Sequence, residues 1–340
     1  MPKGSKFVFT KDTGGDEWFQ LFLSDGKGGD VRLTEPGTRN LGLVFTPDGK
    51  TAIWGVSRKG DPDTDIVAVD LGSPGKPRTL FEGTGAVQPL DVSADGKTVL
   101  FGRYISITES KRYLLDIATG KVTEIAAGVK TAYDGGRFLP DGKRIMLLSD
   151  KDSDTMRLVE INLATGAQSV VTPGLKWDVE AFDISKDGRL LAYSVNEDGY
   201  SIVHLQDLKT RRALAQPALP VAVLSGLKFS GDGARLAIGL STRSAAMLAP
   251  SVVPGATGRL SVRNSSVRTE SSCAPRGTLP PPVALRSARP ISGAPSVDLS
   301  RDMKPRLSID QSSPSSCSSC AACWLAASTS AQLMRSGVKV

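Results

Sequence analysis

Five near-copies of one hairpin, spaced almost evenly, constrain this chain more than any other feature in it. Each copy reads as an apolar strand, an x-D-G-x turn and a second apolar strand: GLVFTPDGKTAIWGV, LDVSADGKTVLFGR, GRFLPDGKRIMLLS, FDISKDGRLLAYSV and LKFSGDGARLAIGL. The turn aspartates, Asp48, Asp95, Asp141, Asp187 and Asp232, lie 47, 46, 46 and 45 residues apart. A tight hairpin needs a positive φ, which glycine adopts without steric cost and aspartate tolerates better than most residues. The flanking runs are short, rich in Val, Ile, Leu, Phe and Ala, and bounded by turn signals, the pattern of buried strands.

A second hairpin completes each repeat, in DIVAVDLGSPGKPRTLFEG, RYLLDIATGKVTEIAAG, MRLVEINLATGAQSVVTPG and SIVHLQDLKTRRALAQPA. Four strands in about 45 residues fit a β-propeller blade, and no segment shows the 3.6-residue period of a helical solenoid. The expectation is an all-β fold: a β-propeller of four-stranded blades over residues 1–245, about six blades or partial blades in all. Its ends read as incomplete. Residues 1–38 carry one hairpin without a preceding x-D-G-x pair. The fifth repeat loses its pattern after LAIGLSTRSAA, so its outer strands are not expected, and GATGRL at 255–260 is only a faint echo of them.

Composition divides the chain at the same place. Residues 246–340 hold 11 of the 42 Lys and Arg but only 4 of the 35 Asp and Glu, leaving 31 of each sign in residues 1–245. The net charge of +7 therefore belongs to the tail, and nucleic-acid binding, which needs a basic face on the folded part, loses its support. The tail also carries all four cysteines and, of the 19 aromatic residues, only Trp324. Such a segment cannot bury enough apolar surface to offset about 1–2 kcal/mol per residue of backbone ordering, so disorder is expected over 246–340. Because the break falls inside a blade, a change of reading frame near residue 245 is the expected origin, with a genuine disordered tail as the alternative. No apolar run approaches the roughly 20 residues of a membrane helix, and the opening MPKGSKFVFTKD has no signal-peptide core. Cysteine-free residues 1–245 suit a reducing cytosol and are equally compatible with a periplasmic protein lacking disulfides.

The order of motifs carries a more specific likeness. KDTGGDEWFQLF, NLGLVFTPDGK, GRYISITESKRYLLDIATGK, LLSDKDSDTMRLVEINLATG, WDVEAFDISKDGRLLAYSVNEDGYSIVHL and PALPVAVLSGLKFSGDGARLAIGLS follow one another as in a known family. Over residues 1 to about 245 the chain resembles the propeller of the prolyl oligopeptidase family of serine peptidases, nearest its dipeptidyl-aminopeptidase or acylaminoacyl-peptidase-like branch. The x-D-G-x turn alone is shared with TolB-like and other WD-repeat-like propellers. The resemblance implies a propeller that gates peptides to an α/β-hydrolase domain carrying Ser, Asp and His, with no cofactor. A stand-alone TolB-like propeller with a protein partner is the alternative.

Catalytic residues do not carry over. The sequence has no G-x-S-x-G elbow to hold a nucleophilic serine, and its one histidine, His204, lies in the strand SIVHLQDL, where it reads as a blade-surface side chain. Alternate aspartates at Asp61, Asp63, Asp65 and at Asp150, Asp152, Asp154 begin like calcium loops. They lack the glycine and glutamate that such loops place sixth and twelfth, so they read as interstrand turns. Cys317, Cys320 and Cys323 resemble part of an iron–sulfur run, but Cys273 is remote and the setting is low-complexity, so unstructured thiols are expected. Glu17 reads as a polar contact near the family's channel or as a loop acid. No catalytic, cofactor or metal residue is assigned.

Overall fold

The structure, a computed structural model, describes residues 6–241, 246–254 and 260–262, the last two stretches as backbone strands. The four cysteines, the GATG turn and the rest of the expected tail lie outside the described residues. No helix is among those described, hence none long and apolar enough to cross a membrane.

Among the described residues, twenty-two strands form six antiparallel sheets, taken up one after another along the chain. The first sheet holds β1 (Phe7–Lys11), β2 (Gln20–Ser24) and β3 (Asp30–Arg32). The second holds β4 (Thr38–Phe45), β5 (Thr51–Arg58), β6 (Asp65–Asp70) and β7 (Arg78–Phe81). The third comprises β8 (Ala86–Val92), β9 (Thr98–Ser106), β10 (Glu109–Asp116) and β11 (Val122–Ile125). In the fourth lie β12 (Tyr133–Phe138), β13 (Arg144–Ser149), β14 (Arg157–Asn162) and β15 (Gln168–Val170). The fifth has β16 (Val179–Ile184), β17 (Leu190–Glu197) and β18 (Tyr200–Asp207). The sixth has β19 (Val223–Phe229), β20 (Leu236–Ser241), β21 (Ala246–Pro254) and β22 (Leu260–Val262).

Period-2 alternation explains how the sheets stack into a β-propeller. Neighbouring residues of a central strand face opposite sides, so each sheet can be apolar on both. On β5, Trp54 packs toward Leu21 and Leu23 of the first sheet, while Ile53 packs toward Val99 and Phe101 of the third. The same division repeats with Leu100 against Ile145 and Leu147, Met146 and Leu148 against Leu191 and Val195, and Leu190 and Val203 against Leu236 and Ile238. Five such cores join the six sheets in chain order among the described residues. The strands β4, β8, β12, β16 and β19 pack against one another in the same order, so they are the inner strands around the axis.

The D-G turns have a common lock. Residues Thr46, Ser93, Ser185 and Ser230, two before the aspartate, each donate a hydroxyl to it at 2.5–2.7 Å. In the fourth sheet Leu139 stands at that position, and Arg144 Nε reaches Asp141 instead at 2.8 Å. Only the glycine takes the positive φ, 64–73° across the five turns, while the aspartates keep negative φ and act through their carboxylates. The true double-positive hairpin lies elsewhere, at Asp198 (51°) and Gly199 (85°) between β17 and β18.

These hydrogen bonds hold Asp48, Asp95, Asp187 and Asp232 below the usual carboxylate range, the hydroxyl being the largest influence in each. At Asp141 burial pushes upward, but the Lys143 N–H and the Arg144 side chain outweigh it. A carboxylate with a depressed folded pKa stabilises the fold above its unfolded value and loses that contribution as pH falls through the folded one. The urea midpoint is therefore expected to fall below about pH 4, the unfolded aspartate range, and more gently in a Ser93→Ala, Ser185→Ala double variant. An unchanged acid slope in that variant would contradict the lock.

Two sheets depart from the sequence expectation. The outer hairpin expected from SIVHLQDLKTRRALAQPA is reduced to one bridge, Gln206 to Ala213, and backbone pairing stops at Leu214, ahead of the stretch that holds Pro217 and Pro220. Conversely, the sixth sheet has the outer strands that were not expected: β21 pairs with β20, and β22 with β21. Pro250 falls where the β20–β21 register shifts, so the ladder tolerates it.

Candidate functional site

Each of these five inner strands carries a register irregularity: between Leu41 and Val44, Pro89 and Asp91, Asp134 and Arg137, Val179 and Ala181, and Leu224 and Gly226. Such bulges bend a strand and re-aim its side chains. Gly42 shows how tightly they meet: at φ 64°, a Cβ there would lie 2.5 Å from the Pro89 carbonyl oxygen. Between the bulged strands lies a cavity of about 390 Å³, walled by Leu43, Gln88, Asp134, Arg137, Glu180 and Phe182 among others. Four sheets contribute to it through β4, β8, β12 and β16, which places it on the propeller axis.

Counting back four residues from each D-G aspartate gives Val44, Asp91, Arg137, Asp183 and Lys228. From the third sheet to the sixth, the signs alternate around the axis. Asp183 is buried and accepts from the Phe229 N–H at 2.7 Å, Lys228 Nζ at 2.8 Å and Arg137 Nε at 3.5 Å. Asp91 accepts from the Phe138 N–H at 2.8 Å, and Arg137 also donates to the Leu90 carbonyl. Each carboxylate thus binds the backbone of the following inner strand, Lys228 binds back to Asp183, and Arg137 reaches both ways, back to Leu90 and forward to Asp183. Burial pushes the Asp91 carboxyl up, with Arg137, the Phe138 N–H and Lys228 among the influences opposing it.

The wall behind the cavity is braced by buried Arg112, which donates to the Gly135 carbonyl at 3.1 Å and the Lys111 carbonyl at 3.0 Å, and lies 5.9 Å from the Tyr133 ring centre. Burial lowers its pKa to about 10, which leaves it cationic at neutral pH. Glu180 ties the three strands of the fifth sheet together by accepting from Asn196 Nδ2 on β17 at 2.8 Å and Ser201 Oγ on β18 at 2.7 Å. The cavity wall mixes charged groups of both signs with apolar side chains and one aromatic face, Phe182.

The residues weighed in the sequence lie away from this cavity. His204 is on β18, stacked on Tyr193 at 4.9 Å, with Nδ1 3.0 Å from Gln216 Nε2, and burial lowers its pKa. Asp63 and Asp65 accept the backbone N–H groups of Gly85 and Gly83, and Asp61 accepts that of Asp63. Asp150 accepts from Thr131 Oγ1 and the Ala132 N–H, while Asp152 has φ 56° in the following turn with Asp154. Among the described residues, no group of three or more His, Cys, Asp or Glu is placed to hold a metal. Glu17 is exposed in the β1–β2 loop at φ 59° and is not part of the cavity wall. The alternating charges were overlooked in the sequence, although aligning the repeats on their D-G turns puts all four in one column.

No protein-family model matches the sequence, and no curated protein matches it. The fold is similar to solved β-propellers. TolB from Acinetobacter baumannii aligns with a TM-score of 0.57 at 18% identity, over 77% of this chain and 64% of TolB. A puromycin hydrolase S511A mutant aligns at 0.59 and 20% identity, over 78% of this chain and 45% of the hydrolase. Prolyl oligopeptidase B from Galerina marginata aligns at 0.61 and 12% identity, over 77% and 40%. The chain thus spans less than two thirds of each of these three proteins.

Proposed function

We propose that this propeller is the non-catalytic portion of a prolyl-oligopeptidase-like serine peptidase, and that its axial cavity admits extended peptides on their way to a hydrolase domain. The observation that carries the reading is the cavity itself: about 390 Å³ walled by inner strands, room for a few residues of extended chain and not for a folded protein. The likeness to the hydrolase and oligopeptidase propellers supports it. The present sequence offers no nucleophile elbow, so hydrolysis is assigned to residues other than these.

A benzophenone amino acid at position 88 tests this. It is expected to crosslink a labelled extended peptide and to leave a small folded protein of the same composition untouched. Failure to capture the peptide would overturn the gating role. The purified chain is expected not to hydrolyse short chromogenic peptides, and turnover blocked by a serine-directed reagent would contradict that. One observation favours a second reading, a TolB-like propeller that binds a protein partner: the likeness covers 64% of TolB but only 40–45% of the two enzymes. Preferential capture of a folded partner would move the assignment there.

A further inference from the structure

The fifth sheet has an open outer edge where the second, third, fourth and sixth sheets carry a fourth strand. In the β17–β18 ladder, Ser201, Val203, Leu205 and Asp207 turn their backbone polar groups outward. The Ser201 N–H goes to the Ala222 carbonyl at 3.0 Å, the Leu205 carbonyl accepts the Leu214 N–H at 2.8 Å, and the Asp207 N–H goes to the Arg212 carbonyl at 2.9 Å. All three partners lie in the strap that replaces the fourth strand. The last backbone bond of the strap to this edge before the gap is that of Leu214, and the chain returns to it only at Ala222. Val203, between the tethers, is buried, yet among the described residues no backbone group of the strap bonds to it.

A cavity of about 450 Å³ opens over this gap, lined by Tyr200, Val203, Pro217, Leu219 and Val221, with Glu197 and Asp198 at one end. Buried backbone N–H and C=O groups must be paired, and a segment lying antiparallel to β18 would pair both of Val203's with one of its own residues. On the same strand His204 Nδ1 ties the Gln216 side chain, while His204 Nε2, 3.9 Å from a Glu197 carboxylate oxygen, and Gln206 Oε1 have no hydrogen-bond partner; neither side chain lines the cavity.

We propose that this edge is a peptide-binding site. It takes a short extended segment of a partner, three or four residues long and apolar, with a lysine or arginine at its C-terminal end. The length follows from the strands that fill the same place elsewhere, β7, β11 and β15, of four, four and three residues. The basic end follows from direction: a strand antiparallel to β18 finishes beside the hairpin that carries Glu197 and Asp198. This site lies on the rim of the fifth sheet and does not depend on the reading of the axial cavity.

The test uses the full chain and a fluorescein-labelled Val-Thr-Val-Thr-Lys amide, followed by polarisation. Two N-methyl isomers, one blocking odd and one blocking even residues, separate strand addition from apolar adhesion. One isomer is expected to bind about tenfold more weakly and the other within about twofold, since only one parity faces Val203. Ala218→Trp, at an exposed position of the strap lining the cavity, is expected to weaken binding about tenfold, and Glu197→Gln with Asp198→Asn several-fold for the lysine peptide. Hydrogen exchange should gain protection at residues 200–205. Equal loss with both isomers, or undiminished binding to Ala218→Trp, would overturn the proposal. So would protection confined to residues 88–92 and 134–138, which would place the peptide in the axial cavity alone.

Discussion

Replacing Trp54 with alanine is expected to lower the unfolding free energy by about 3–5 kcal/mol. The indole is 1% exposed and lies in the core between the first and second sheets, against Leu21, Leu23, Val67 and Val69. Its Nε1 also donates to Asn40 Oδ1 at 3.0 Å, and Asn40 Nδ2 in turn donates to the Phe19 carbonyl at 3.1 Å. Truncation leaves a large void and a half-satisfied amide. Stability in stacked repeats is carried by nearest-neighbour interfaces, so the first sheet should exchange its amides before the others. Urea unfolding monitored by hydrogen exchange checks both points. A loss below about 1 kcal/mol, typical of surface positions, would mean that Trp54 does not join these sheets.

The second large effect is expected at Asp183. Asp183→Ala should cost about 2–3 kcal/mol, chiefly because the buried Phe229 N–H loses its acceptor. Lys228 adds little to that figure, since its side chain is 62% exposed and can turn to water. Asp91→Asn makes the informative contrast. Its folded pKa is raised, so its contribution to stability is present below the unfolded value and is lost as pH rises through the folded one. An amide that still accepts from the Phe138 N–H escapes this penalty. Asp91→Asn should therefore be neutral or stabilising at pH 7, and wild type should gain on it as pH is lowered toward 4. Equal losses for the two variants at pH 7 would contradict the different roles assigned to these carboxylates.

The sequence made the architecture legible because a D-G turn needs its glycine at a fixed place and apolar alternation fixes both faces of a strand. Five turns at near-constant spacing leave few alternatives to stacked four-stranded sheets. The missing fourth strand of the fifth sheet was not legible, because Pro217 falls at an outward-facing edge position where a strand tolerates proline. Nor were the strands beyond residue 245, because β21 and β22 are held by backbone pairing that no side-chain alternation announces. The site was half visible. Asp91, Arg137, Asp183 and Lys228 occupy one column of the aligned repeats, but their meaning depends on inner strands converging on an axis, which is a property of the stacked sheets. The bulges that aim the wall residues into the cavity leave no compositional mark, apart from glycines such as Gly42 and Gly136.

The convergence of those four residues is tested most directly by a double-mutant cycle between Arg137 and Asp183, which are 46 residues apart in sequence. Using Arg137→Met, Asp183→Asn and the double variant, urea unfolding is expected to give a coupling free energy of about 0.5 kcal/mol or more, weakening as salt is added. Additivity within about 0.3 kcal/mol, the behaviour of residues with no shared contact, would contradict an axis at which successive repeats meet.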